Sequence, residues 1–317
     1  MSYKNIKLLK KQGINLISRD TKRFLVDVKD FGDIYKKGSG YRGFLKSLSN
    51  LGAARDLKSS LKYLYEARKN NKPIILFLDE KNIYTGLNMA VIDLIQRGWI
   101  SLISVNSDFA VYDFEIALSG KSVEDFERNL IKNKKGYGNT EETGIFFNIA
   151  LKEGIESGLG AGESLGHYLI ENKFIFKRLS VLYSSYKYNI PLTIHSTTSF
   201  EIIGFHPTFD PVVFGKLLDK DFILLSSVVS KLSNGGVLLF LNHNYEFLNL
   251  IKKAIAFNIN SLKNIEEFYS IVMGNKKIYD DFTDSLLNGG KKFYLGDSIE
   301  ILLPLLTVLI VDLGGKG

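Results

Sequence analysis

The sequence predicts a doubly wound α/β fold, a mainly parallel sheet with helices on both faces, and three observations carry that expectation. Short apolar runs alternate with longer amphipathic segments along most of the chain, the pattern of repeated βα units. Polar residues cluster directly after several of these runs, where a parallel sheet presents its ligand edge. Hydrophobic residues make up 45% and charged residues 24% of the 317 residues, ample for a sizeable core. One domain over residues 1–317 is expected, with 1–40 as an N-terminal extension.

Strands are expected at Arg23–Val28, Pro73–Leu78, Ser101–Val105, Pro191–His195 and Gly236–Leu241, each a short apolar run bounded by polar or turn residues. Between Tyr41 and Lys69 the residues Phe44, Leu48, Leu51, Leu57, Leu61 and Leu64 recur at helical spacing, which predicts one long helical region. Further helices are expected at Leu87–Arg97, Tyr112–Leu118, Val123–Lys132, Glu141–Ser157, Glu163–Glu171, Ile175–Tyr188, Asp221–Lys231 and Tyr245–Phe257. The stretch Asn258–Lys292 is polar and loosely patterned and receives no assignment. The run Ile299–Leu313 holds Glu300, Pro304 and Asp312 and is shorter than the roughly 20 residues of a membrane span, so it is expected to be a buried helix.

Cysteine is absent, which excludes disulfides, thiolate metal sites and a cysteine nucleophile and favours a reducing cytoplasm. Met1–Gly13 is lysine-rich but is followed by no apolar stretch with a cleavage site, so no secretion signal is expected. Net charge is +7, yet the lysines are spread along the chain and rarely interleave with aromatics, so neither nucleic acid nor membrane is the expected partner.

Three strand ends carry candidate chemistry. After the expected strand Ser101–Val105, Asn106, Ser107 and Asp108 lead into a helix bearing Tyr112, Asp113 and Glu115; such residues either cap the helix or meet a phosphate or ribose there. At and after the end of the expected strand Pro191–His195, His195, Glu201 and His206 form the richest cluster, in which a histidine can shuttle a proton and a carboxylate can hold an amine or hydroxyls; Asp210 stands close by in sequence. Its spacing matches no zinc signature, so no metal is assigned. Around the last expected strand, Gly235 and Gly236 precede the apolar run Val237–Leu241 and Asn242, His243 and Asn244 follow it. No dinucleotide fingerprint or P-loop occurs.

Several ordered segments resemble bacterial deoxyhypusine-synthase-like proteins: Leu87 to Ile100, Tyr112 to Leu118, Glu141 to Gly144, Gly158 to Gly166, Ile190 to His195, Ile202 to Pro207, Asp221 with Phe222, Gly235 to Val237 and Glu300 to Leu306. Upstream, Gly43 with Phe44, then Leu51, Gly52 and Ala54, look like the helix that opens the family's catalytic domain. The resemblance implies a Rossmann-like fold with a nucleotide- or polyamine-type cleft and a homodimer or homotetramer. In the family's enzymes NAD oxidises spermidine, a lysine captures the butylamine fragment as an imine, and the group passes to a lysine of a translation factor. That lysine would fall near Leu305 to Thr307, but there is none between Phe293 and Gly315, and the catalytic histidine expected near Phe240 or Leu241 is also missing. The resemblance places candidate cofactor contacts at Asn106, Ser107, Asp113, Gly235, Gly236 and Asn242, with NAD the implied cofactor. The alternatives are an aminobutyl transferase with a replaced nucleophile, using His195, Glu201 and His206 for proton transfer, and a non-catalytic binding or assembly protein.

Overall fold

The computed structural model describes residues 15–133, 140–196, 202–242, 245–260, 265–274, 276 and 290–313. Its centre is a six-stranded sheet of β1 (Ile74–Leu78), β2 (Leu102–Asn106), β3 (Leu192–His195), β4 (Val237–Leu241), β5 (Tyr269–Met273) and β6 (Lys292–Gly296). The spatial order is β3-β2-β1-β4-β5-β6, and every pair is parallel. Parallel strands covered on both faces carry near-continuous apolar runs, and β1 and β4 are buried throughout.

The two-residue period of a strand divides β1 between two cores. Ile74, Leu76 and Leu78 join the larger one, while Ile75 and Phe77 join the smaller. The larger core receives α2 (Gly52–Lys69), α4 (Asn88–Gln96), α5 (Ser107–Ser119), α7 (Glu141–Glu156), α8 (Ala161–Glu171), α9 (Val181–Lys187) and α12 (Ile299–Leu313). The smaller receives α11 (Tyr245–Asn260) and the second half of α10 (Pro211–Val229). Phe77 stacks on its register partner Phe240 with ring centroids 4.5 Å apart, two aromatics whose burial is worth about 1.5–3 kcal/mol each. The shorter helices are α1 (Gly40–Ser47), α3 (Lys81–Tyr84) and α6 (Phe126–Asn133).

Four of the five expected strands are β1 to β4. Arg23–Val28 is not a strand: Asp27 caps a 3-10 turn at Val28–Asp30, and Phe24, Leu25, Val26 and Val28 lie exposed outside the sheet. β5 and β6 arise inside or at the end of the unassigned stretch. The expected helical region 41–69 is two helices, since Leu48 to Leu51 turn extended between α1 and α2. α10 starts ten residues before the expected Asp221, because Asp210 accepts from the N–H groups of Val212 (2.9 Å) and Val213 (3.1 Å) and Pro211 sits at the first helical position. The final apolar run is helical, with Pro304 inside it and Leu303, Leu306, Leu309 and Ile310 buried. Among the described residues no helix is long and apolar enough to cross a membrane.

Candidate functional site

In this strand order β2 and β3 lie on one side of β1 and β4 to β6 on the other, so the chain crosses back from β3 to β4 and opens a crevice beside β1 at the carboxyl ends of the strands. β1 delivers Asp79 and Glu80 to that edge, β2 delivers Asn106, β3 His195, and β4 Asn242. Asp79 is 1% exposed. Its carboxylate accepts from the Lys81 N–H (3.1 Å) and from Asn242 Nδ2 (3.3 Å), and its own N–H donates to Asn82 Oδ1 (2.9 Å). Burial, and then the neighbouring Glu80 charge, pushes the Asp79 carboxyl up to about 7. Asn242 adopts φ 67°, a left-handed conformation that asparagine tolerates better than most side chains.

Beside this point lies a cavity of about 290 Å³ lined by Glu80, Tyr84, Asp108, Tyr112, Glu115, Glu124, Phe126 and Ile202. Each wall has a local cause. Asn106 caps α5 by accepting from the Phe109 N–H (3.0 Å), and its amide donates to Glu80 Oε2 (2.5 Å), which fixes the Glu80 side chain at the cavity. Asp108, in the first turn of α5, accepts from the Ile202 N–H (3.1 Å). Two turns along the same helix, Glu115 accepts from Ser122 Oγ (2.8 Å) and Thr143 Oγ1 (3.3 Å). Burial raises both Asp108 and Glu115 above the usual carboxylate range. No salt bridge to Glu80, Asp108 or Glu115 forms among the described residues. Tyr84 meets Tyr112 edge-on with centroids 6.0 Å apart.

Glu115 and Glu124 also line a second cavity, of about 550 Å³, together with Glu142, Phe146, Phe174 and Lys121. Between them Val123 holds φ 65°, where a β-branched residue is strained. The two cavities therefore share an acidic wall. Among the described residues no three His, Asp or Glu side chains are grouped to hold a metal ion.

The residues singled out from the sequence are dispersed. Asn106 and Asn242 stand at the carboxyl edge, as does Ser107, which is fully buried with no hydrogen-bond partner for its Oγ. Asp113 is fully buried and accepts from Ser180 Oγ (2.6 Å), Asn88 Nδ2 (2.8 Å) and the N–H groups of Val181 and Leu182 (both 2.9 Å), so its carboxylate ties α5 to the start of α9. Gly235 and Gly236 precede β4 and so lie at the amino edge, opposite Asn242. His195 ends β3 with Nε2 3.0 Å from Thr193 Oγ1, and burial pushes its imidazole down to about 3, so it is neutral near pH 7. His206 packs against Gly144, where an added Cβ would meet its ring at 1.9 Å, with Nδ1 2.8 Å from Thr208 Oγ1. Glu201 and His243 lie outside the described residues. Asp79, Glu80 and Tyr84 were not singled out; the signal was the same strand-end rule applied to the apolar run that ends at Leu78.

No protein-family model and no curated protein matches the sequence. Solved structures do match in shape. A protein from Entamoeba histolytica classed as a deoxyhypusine synthase aligns at TM-score 0.50 and 14% identity, over 87% of this chain and 95% of its own. The chain has the deoxyhypusine-synthase-like fold. A conserved protein from Methanococcus maripaludis S2 classed as LOR/SDH aligns at TM-score 0.53 and 16% identity, over 83% of this chain and 71% of its own. The cyanobacterial arginine dihydrolase ArgZ aligns at TM-score 0.52 and 15% identity over 82% of this chain, which spans only 32% of ArgZ.

Proposed function

We propose that this protein binds a cationic amine of the polyamine type in the acidic cavity at the carboxyl edge of its sheet, and that it does not perform aminobutyl transfer through a lysine imine. One observation carries the reading: Glu80, Asp108, Glu115 and Glu124 line a cavity of about 290 Å³ together with Tyr84, Tyr112 and Phe126, and among the described residues no lysine, arginine or histidine lines it. The carboxylates of Glu80, Asp108 and Glu115, which accept from neutral donors, keep acceptor capacity for ammonium groups, and the aromatic walls suit both methylene segments and cations.

The amino end of α5 does not fit a pyrophosphate. Asn106 already caps it, no glycine brings the backbone close, and Glu80 and Asp108 would repel the phosphate charge. A dinucleotide is therefore assigned no contacts there. A second reading rests on Asp79: a buried carboxyl at the strand-order switch, raised to about 7, has the acidity of a general base working near neutral pH.

The test is to incubate the protein with spermidine, NAD and a lysine-bearing acceptor protein, following bound spermidine by dialysis and the acceptor by mass spectrometry. Bound spermidine with no aminobutyl addition is the expected result. An added aminobutyl group refutes the absence of transfer chemistry, and no retained spermidine refutes the amine site.

A further inference from the structure

The larger cavity, of about 550 Å³, has the size of a small-molecule site and enters the amine reading only through the wall it shares. Its lining follows from helical spacing. Glu115 and Leu118 lie one turn apart along α5, and Glu142 and Phe146 one turn apart along α7. Each helix therefore presents a carboxylate and an apolar side chain on one face. The Thr143 hydroxyl, donating to Glu115 (3.3 Å), fastens the two helices to each other at this wall.

Apolar surface is left open there. Phe146 and Phe174 are both half-buried, with ring centroids 6.0 Å apart, and both pack against the larger core. Phe174 also meets two rings of that core, Tyr168 at 6.2 Å and Phe114 at 6.5 Å. Rings held in this way form a preorganised apolar floor, and a ligand that covers it takes apolar surface out of water.

The charged groups define the rest of the ligand. Glu115, Glu124 and Glu142 line the cavity against a single lysine, Lys121. Among the described residues neither Glu115 nor Glu142 is in a salt bridge. A monoamine with an apolar body can put its one charge on these carboxylates and its body on Leu118 and the rings. The further ammonium groups of a linear polyamine would share the cavity with the Lys121 charge and cover less of the floor.

We propose that this cavity is a second binding site, for a monoamine that joins one ammonium group to an aryl or alkyl body. The ammonium pairs with Glu142 and Glu115, and the body covers Leu118, Phe146 and Phe174. Occupancy of the smaller cavity is not required.

The test is isothermal titration of the full chain with phenethylamine, n-hexylamine and n-butylamine, and with 2-phenylethanol as the neutral counterpart of the first. Phenethylamine is expected to bind saturably, one per chain, and at least about fivefold tighter than 2-phenylethanol. The two extra methylene groups of n-hexylamine are expected to make it bind about tenfold tighter than n-butylamine. Two substitutions at exposed positions locate the site. Glu142→Gln removes a carboxylate that lines the larger cavity and not the smaller, and Thr140→Trp puts a bulky ring into its lining where the threonine makes no cap bond to α7. Thermal unfolding followed by circular dichroism checks that both variants fold. Each is expected to weaken phenethylamine binding about fivefold or more, whereas Glu80→Gln, which alters the smaller cavity, leaves it within about twofold. No spermidine enters the test, so this site and the polyamine reading fail separately. Absence of saturable binding by any of the amines overturns the proposal. So does 2-phenylethanol binding as tightly as phenethylamine, equal affinity for n-butylamine and n-hexylamine, or binding that survives both substitutions. A loss in Glu80→Gln as large as that in Glu142→Gln also overturns it, because the monoamine would then sit in the smaller cavity.

Discussion

Replacing Glu115 by glutamine removes one charge from the acidic cavity at almost constant shape. The hydroxyls of Ser122 and Thr143 that now donate to the carboxylate at 2.8 and 3.3 Å can donate equally to the amide oxygen, so the local hydrogen bonds survive. An ammonium about 5 Å from a carboxylate at an effective dielectric constant of about 20 gains about 3 kcal/mol. Salt screening reduces this to about 1.5–2.5 kcal/mol, or roughly 10- to 60-fold in affinity for spermidine. The same reasoning fixes the sign of the pH dependence. Asp108 and Glu115, both raised by burial, hold more protons as pH falls, so the cavity becomes less negative and cation binding weakens. Isothermal titration of the wild type and Glu115→Gln at about pH 5.5 and about pH 8 reads both effects. Wild-type affinity is expected to rise about tenfold over that interval, and more steeply at low salt than at high. Equal affinity at both pH values, or a Glu115→Gln loss under about twofold, refutes the acidic-cavity reasoning.

Three further outcomes follow from the same structure. Asp113→Ala strands the buried N–H groups of Val181 and Leu182 and should cost about 3–5 kcal/mol in urea unfolding while changing spermidine affinity less than about twofold; a cost under about 1 kcal/mol contradicts the anchoring role. Asp221, fully buried and accepting from the Ile194 N–H (2.7 Å) and the Gly162 N–H (3.1 Å), is pushed by burial from 3.8 up to about 7, so its contribution to stability is fully present below about pH 4 and is lost as pH rises through about 7. Asp221→Asn keeps an acceptor and should flatten that slope; a difference between the melting temperatures of variant and wild type that stays constant from about pH 5 to about pH 8 contradicts the assignment. Gly144→Ala drives a Cβ into the His206 ring and should cost about 1–3 kcal/mol, and a fully stable variant would show that the His206 loop is free to move aside.

The sheet's four inner and early strands were legible because each is a short apolar run buried on both faces, and the polar residues after β2 and β4 marked the carboxyl edge. β5 and β6 were not. β6 alternates buried and half-buried residues and begins with a lysine, so it lacks the continuous apolar signature of the central strands. Arg23–Val28 has a strand's composition, but composition supplies no neighbour to pair with, and the run stays outside the sheet. At the site, Asn106 and Asp108 could be located from their strand end. Asp113 looked like a ligand contact because sequence does not show that α9 begins directly beside it, offering its N–H groups to that carboxylate. Glu115 lies two helical turns from the strand end, and its meeting with Ser122, Thr143 and Glu124 depends on how α5 and α7 pack.

The most direct test is a thermal-unfolding titration with spermidine, with NAD, and with both. A ligand at 100 times its dissociation constant adds about 2.7 kcal/mol to the native state. The acidic cavity predicts a saturable rise in melting temperature with spermidine, unchanged by NAD and abolished in a Glu80→Gln, Glu115→Gln double variant. A rise with NAD alone, with no response to spermidine, contradicts it and returns the crevice to a dinucleotide.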